Sequence, residues 1–140
     1  MSPVTRRSAL TVLAAALAAM TTRVRAAARE HREFIAAAFK MKDEAVAAGD
    51  QPYGAVVVKD GRIIGFGPSR VVLKKDWTAH AEREAMREAQ ARLGSTDLSG
   101  CVLYSTSRPC ANCEAAARDA KIARMFHGAE TTDAGPPRRS

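Results

Sequence analysis

Residues 99–127 read SGCVLYSTSRPCANCEAAARDAKIARMFH, and this stretch decides the fold. Ser99 to Thr106 is β-branched and apolar enough for a strand. Cys110 to Ala120 is Ala-rich and predicts a short helix. Ile122 to His127 returns as a second strand. A strand, a helix and a strand in one sheet require a parallel pair, because only a crossover brings the chain back in the same direction. Upstream, Ala79 to Leu93 predicts another helix, with Thr78 as its cap, Ala85, Met86, Ala89 and Leu93 facing inward, and Gly94 closing it. Before it, Tyr53 to Lys59 and Arg62 to Gly67 flank Asp60-Gly61, the signal of a tight hairpin. Residues 67–76 read as a loop. From Arg29 to Ala48, Phe34, Ala38, Met41 and Ala45 recur at helical spacing, and Gly49 stops the pattern. The order helix, hairpin, helix, strand, helix, strand predicts an α/β fold with a mixed sheet layered by helices.

The length of 140 residues suits one domain, with 46% hydrophobic and 26% charged residues. The net charge of +7 is unevenly placed. Arg6, Arg7, Arg23 and Arg25 are the only charges in the first 28 residues, and without them 18 basic residues face 15 acidic ones. The remainder is close to neutral, which argues against a nucleic-acid partner. Thr5-Arg6-Arg7-Ser8 opens an uncharged Ala/Leu-rich run, Ser8 to Thr22, followed by small residues at Val24-Arg25-Ala26-Ala27-Ala28. That order is the layout of a secretory signal, and the paired arginines resemble a twin-arginine signal. The expected organisation is a signal peptide over 1–28, a domain over 29–130 and a polar tail over 131–140. The run is short for a bilayer span, so no membrane span is expected, and the mature protein is expected to be periplasmic or secreted.

Chemistry concentrates at two places, each following a strand and opening a helix. His80-Ala81-Glu82 is one; Pro109-Cys110-Ala111-Asn112-Cys113 is the other. Zinc favours tetrahedral sets of Cys thiolate and His nitrogen, and catalytic sites leave one position for water. Cys110 and Cys113 stand one helical turn apart, and His80 supplies a third ligand. Cys101 lies mid-strand and His127 at a strand end, so neither is a good fourth. Two helix N-termini near the ion also favour thiolate. Glu82 is too near His80 to be a ligand but can reach a water held at such a site and carry its proton. A closed structural zinc site, a redox Cys-x-x-Cys with an unrelated histidine, and a merely solvated Glu82 stand beside this reading. His31 reads as a surface helix residue, and Trp77 as a pocket residue or a cover for the helix start.

His-x-Glu followed by Pro-Cys-x-x-Cys is the signature of zinc nucleobase deaminases. With GDQPYGAVVVKDGRIIGFG, DWTAHAEREAM and LYSTSRPCANC, the chain from about His31 to Glu130 resembles the cytidine and deoxycytidylate deaminase superfamily. Within it, it is most similar to the guanine deaminase and tRNA adenosine deaminase branch. The resemblance implies a three-layer α/β/α sandwich and a zinc hydroxide that attacks the amine-bearing ring carbon, with Glu82 as acid and base. It also implies a base pocket lined by Gly54, Ala55, Ser69 and Ala81. The chain departs from the pattern in four places. Ser69 stands where an Asn often contacts the base. Asp76-Trp77-Thr78 replaces Asp-Pro-Thr, and Arg108 replaces Glu. Relatives continue into a fifth strand and terminal helices where this chain ends in Gly135-Pro136-Pro137-Arg138-Arg139-Ser140, so the fold is expected to be shortened there. An uncovered sheet edge then favours a homodimer. The expected substrate is a free nucleobase or nucleoside, most simply a purine, because export separates the protein from tRNA. Cytosine or deoxycytidylate deamination, and a non-catalytic zinc-binding member, are the alternatives.

Overall fold

The structure, a computed structural model, describes residues 6–139. Thr5 and Ser140 lie outside the described residues, as do the side chains of Arg6, Arg7 and Ser8. The chain divides into two units, one up to His31 and one from Arg32 onward.

The first unit is helical throughout its described part, and helix α1 runs Arg6–Ala47. The separate helix expected from residue 29 is therefore one continuous helix from residue 6. No Gly or Pro interrupts residues 6–47, so nothing in the sequence stops it. Leu10, Leu13, Leu17, Met20 and Val24 are exposed. Over Ala9–Ala47, α1 is long and apolar enough to cross a membrane by length and composition, with a mean hydropathy of 1.3 in its 18-residue apolar window; a signal sequence passes the same test.

The second unit holds a five-stranded mixed sheet in the order β2-β1-β3-β4-β5. Strands β1 (Gly54–Lys59) and β2 (Arg62–Pro68) form the hairpin, with Asp60 and Gly61 both at positive φ. Strand β3 (Val102–Ser105) pairs antiparallel with β1 and parallel with β4 (Arg124–His127), as the β-α-β reading requires. Successive side chains alternate between two buried faces. Val56, Val58, Tyr104 and Phe126 pack with Ile35 and Met41 of α1. Ala55, Val57, Leu103 and Met125 pack with α3 (Ala81–Leu93) and α4 (Ala111–Asp119) through Ala81, Ala85, Ala89 and Ala117. The three-layer sandwich follows from that alternation.

Several expectations change. Residues 67–76 contain a helical turn, α2 (Val71–Lys74), closed by Lys75 in the left-handed region. Thr78 does not cap α3: its hydroxyl donates to Asp76 Oδ1 and accepts from Arg87, and the N-cap residue is His80. Leu93, in the last turn before the Gly94 cap, is 37% exposed rather than facing inward. Part of the expected polar tail is strand β5 (Thr132–Gly135), antiparallel to β4. Its polarity reflects an edge strand with mostly solvated side chains rather than a loose tail. Arg124 grips both oxygens of Asp133 across the pair, at 2.6–3.0 Å.

Two glycines of β2 set the position of α3. A Cβ on Gly67 would lie 2.0 Å from the Ala81 carbonyl oxygen, and one on Gly65 2.0 Å from that of Ala85. Glycine therefore lets α3 lie directly on the sheet, and fixes the height of its first turn.

Candidate metal centre

The site lies beyond the carboxyl end of the parallel strand β3, where open α/β sheets place their ligands. Two helix starts converge there. His80 is the N-cap of α3 and Cys110 the N-cap of α4. Each hands its carbonyl to the first helical bond, His80 to Glu84 N–H and Cys110 to Glu114 N–H, both at 2.9 Å. Their side chains are thus set at the turn from extended to helical backbone. An Asx turn at Asp76, which accepts from Thr78 N–H at 2.8 Å, and the Ala79 N–H bond to Asp76 O deliver His80.

His80 Nδ1 lies 3.7 Å from Cys110 Sγ and 3.5 Å from Cys113 Sγ. A tetrahedral zinc with Zn–S near 2.3 Å and Zn–N near 2.0 Å has S···N edges of about 3.5–3.6 Å. The two observed edges match that tetrahedron, and Nδ1 is the nitrogen that faces the metal position. The three ligand atoms all lie within 4.8 Å of one another, and no other metal-binding group is found among the described residues. Cys101 is buried in the core, but it precedes β3 rather than lying mid-strand, and His127 stays at the end of β4. His80, Cys110 and Cys113 are therefore placed to bind one metal ion and leave a coordination position open.

Burial pushes the Cys113 thiol well up from its ordinary pKa, and the neighbouring charge of Glu82 pushes it further. Ionising this thiol to a metal-binding thiolate therefore takes a compensating cation, a role a divalent metal would fill. Glu82 is itself buried, and burial raises its pKa; its side chain hydrogen-bonds Cys113.

A cavity of about 360 Å³ opens on this centre, lined among others by Ser69, Ala81, Glu82, His80 and Cys110. Trp77, 81% exposed, lines its mouth and also that of a second groove between α3 and α4. Gly54 and Ala55 are not among the residues lining the cavity. Gly54 is pressed against α1, where a Cβ would meet Ala38 O at 2.1 Å, and Ala55 is in the core. Arg108, read only as a departure, does line it.

Ser69 is held by a residue that sequence reading passed over. Its hydroxyl donates to Asp50 Oδ1 at 3.0 Å, and Asp50 Oδ2 accepts from Leu73 N–H at 2.9 Å. Burial opposes ionisation of Asp50, but these bonds and that from Gln51 N–H outweigh it and lower its pKa. Glu84, buried one turn into α3, is likewise ringed by Lys74 and Arg87 at 2.7 and 2.8 Å, which fastens α2 to α3. Glu114, next to Cys113, is drawn down to a pKa of about 2 by hydrogen bonds from Arg138. Of these contacts only Glu84–Arg87, one helical turn apart, is local in sequence; Asp50–Ser69, Lys74–Glu84 and Arg138–Glu114 join residues 10 to 24 positions apart.

Residues 28–129 match the family model described as the cytidine and deoxycytidylate deaminase zinc-binding region. The chain belongs to this family. Its members are zinc-dependent hydrolytic deaminases. Guanine deaminase from Bacillus subtilis is 43% identical over 105 residues, 74% of this chain and 67% of that protein. Its crystal structure superposes with a TM-score of 0.68 at 41% identity, covering 71% of this chain and 64% of that one. The tRNA-specific adenosine deaminase of Agrobacterium fabrum is 42% identical over 95 residues, 66% of this chain and 62% of that protein. The chain thus spans about two-thirds of the length of these relatives.

Proposed function

We propose that the protein hydrolyses the exocyclic amine of a free purine base or its nucleoside, with guanine foremost. The observation that carries this reading is His80 Nδ1 at tetrahedral spacing from both cysteine sulfurs, with Glu82 buried in the small cavity beside them. The similarity to guanine deaminase supports the choice of base. A cavity of about 360 Å³ is at the small end of ligand pockets, which suits one base or nucleoside.

A zinc ion held by His80, Cys110 and Cys113 would supply a water acidified to a pKa of roughly 7. Glu82 is placed to take a proton from such a water as its oxygen bonds the amine-bearing ring carbon, and to give that proton to the amine nitrogen as the C–N bond breaks, leaving a ring carbonyl and ammonia. Burial, which raises the proton affinity of Glu82, suits it to hold the proton between those two events. The Ala81 N–H, in the first turn of α3, has no helical partner and is free to donate to an acceptor on the base. Ser69, whose hydroxyl proton is committed to Asp50, offers the base a lone pair.

The test is ammonia release by zinc-loaded protein from guanine, adenine, cytosine, their nucleosides and a tRNA anticodon stem-loop. Release from guanine or guanosine, lost in Glu82→Ala, is expected. No release from any substrate, with Glu82→Ala behaving identically, refutes the enzyme reading.

The exposed apolar residues of the first helical unit support its reading as an export signal and a periplasmic or secreted location. Cell fractionation with N-terminal sequencing checks it: a new terminus after Ala26–Ala28 is expected, and an intact cytoplasmic chain refutes it. Strands β2 and β5 leave two sheet edges, which supports a homodimer; a monomer by light scattering at micromolar concentration refutes that.

A further inference from the structure

Beyond β5 the chain returns to the first turn of α4. Arg138 donates its backbone N–H and its Nε to Glu114 Oε1, at 3.0 and 3.1 Å, and its Nη2 to Oε2 at 3.0 Å. Arg118, at the other end of α4, donates Nη1 to Arg138 O at 3.4 Å. Glu114 is buried and follows Cys113 directly. Its own N–H is bonded to Cys110 O, while Cys113 N–H reaches Cys110 Sγ at 3.5 Å. The peptide between Cys113 and Glu114 is therefore held at its backbone by one ligand residue and at its side chain by Arg138. A guanidinium meeting both carboxylate oxygens fixes orientation as well as distance.

We propose that Arg138 is a positioning residue for the metal chelate. Acting through Glu114, it holds the first turn of α4 so that Cys110 and Cys113 keep their sulfurs at tetrahedral spacing from His80 Nδ1. The proposal rests on zinc binding at this site but not on turnover, so an inactive protein leaves it testable.

The experiment measures zinc affinity of the full chain by chelator competition, with the absorption spectrum of the cobalt(II)-loaded protein as a geometric readout. Removing partners outside the ligand shell weakens metal binding by about 10–100-fold, and Arg138→Ala is expected near the lower limit because Glu114 acts through the backbone. Its cobalt bands should shift as the site loosens. Arg138→Lys, which restores charge and one contact, should recover part of the affinity. Glu114→Gln combined with Arg138→Ala should lose no more than the larger single effect, since the two act as one unit. Unchanged affinity and superimposable cobalt spectra in Arg138→Ala overturn the proposal. So does a lower melting temperature of the metal-free protein with zinc affinity intact, which leaves only a structural strap. If Arg138→Ala does not fold, unchanged affinity in both Arg138→Lys and Glu114→Gln overturns it equally.

Discussion

Replacing Gly67 by Ala tests how the sheet holds the metal-bearing helix. The added Cβ would lie 2.0 Å from Ala81 O, 2.5 Å from Ala85 N and 2.9 Å from Ala85 Cβ. Real Cβ contacts essentially never fall under 3.0 Å, so β2 and α3 must part by about 1 Å. Both neighbours are backbone of regular elements, so no flexible side chain can absorb the movement. Overpacking of this kind costs about 3 kcal/mol, which for a domain of this size lowers Tm by about 10–15 °C. The displaced turn carries His80 and Glu82, and a site tolerates shifts of only about 0.5 Å, so zinc affinity should also fall, by about tenfold. Gly65→Ala is the control. Its clash is one turn further along, at Ala85 and Ala89, so it should melt as early while losing less zinc affinity. Thermal melts by circular dichroism in metal-free buffer, followed by chelator competition, give both numbers. A Gly67→Ala protein that melts within about 2 °C of the parent and binds zinc equally well would falsify the claim that close approach at Gly67 fixes the site.

Glu82→Gln keeps the shape of the side chain but cannot carry the proton; turnover should fall by about 10²–10⁴-fold while zinc content, measured by atomic absorption, stays at one per chain. Cys113→Ser should abolish stoichiometric zinc and remove the rise in Tm that zinc gives the parent protein; retention of both would place the metal elsewhere. For pH dependence, Asp50 has a lowered folded-state pKa, so its contribution is present above its unfolded value of about 3.9 and is lost as pH falls through the folded value. Asp50→Asn should therefore be less stable by about 1–3 kcal/mol at pH 7 and converge with the parent in acid, and parallel stability curves would refute that sign.

The ligand set was legible in the sequence because its spacing is local. Cys110 and Cys113 share one helical turn, and His80 and Glu82 open the preceding helix. The β-α-β order dictated the parallel pair, and the unbroken apolar run of β1 the two covered faces. Boundaries failed where tertiary contacts or their lack decide. The helix from residue 29 extended to Arg6 because nothing in the sequence stops it. Thr78 lost its capping role because Asp76 and Arg87 compete for its hydroxyl. Strand β5 was hidden because a four-residue edge strand that packs only Ala134 against the core carries no hydrophobic alternation.

By itself, then, the sequence determined which atoms can bind the metal and the order of the elements that present them, since both are written in short-range spacing. Only the tertiary structure decided that His80 Nδ1 meets the two sulfurs at 3.5–3.7 Å, that Asp50 claims the Ser69 proton, and that Arg138 closes on Glu114. These contacts join residues 19 to 33 positions apart. Their geometry depends on how closely α3 and α4 lie on the sheet, and the small residues packed between the layers set that distance.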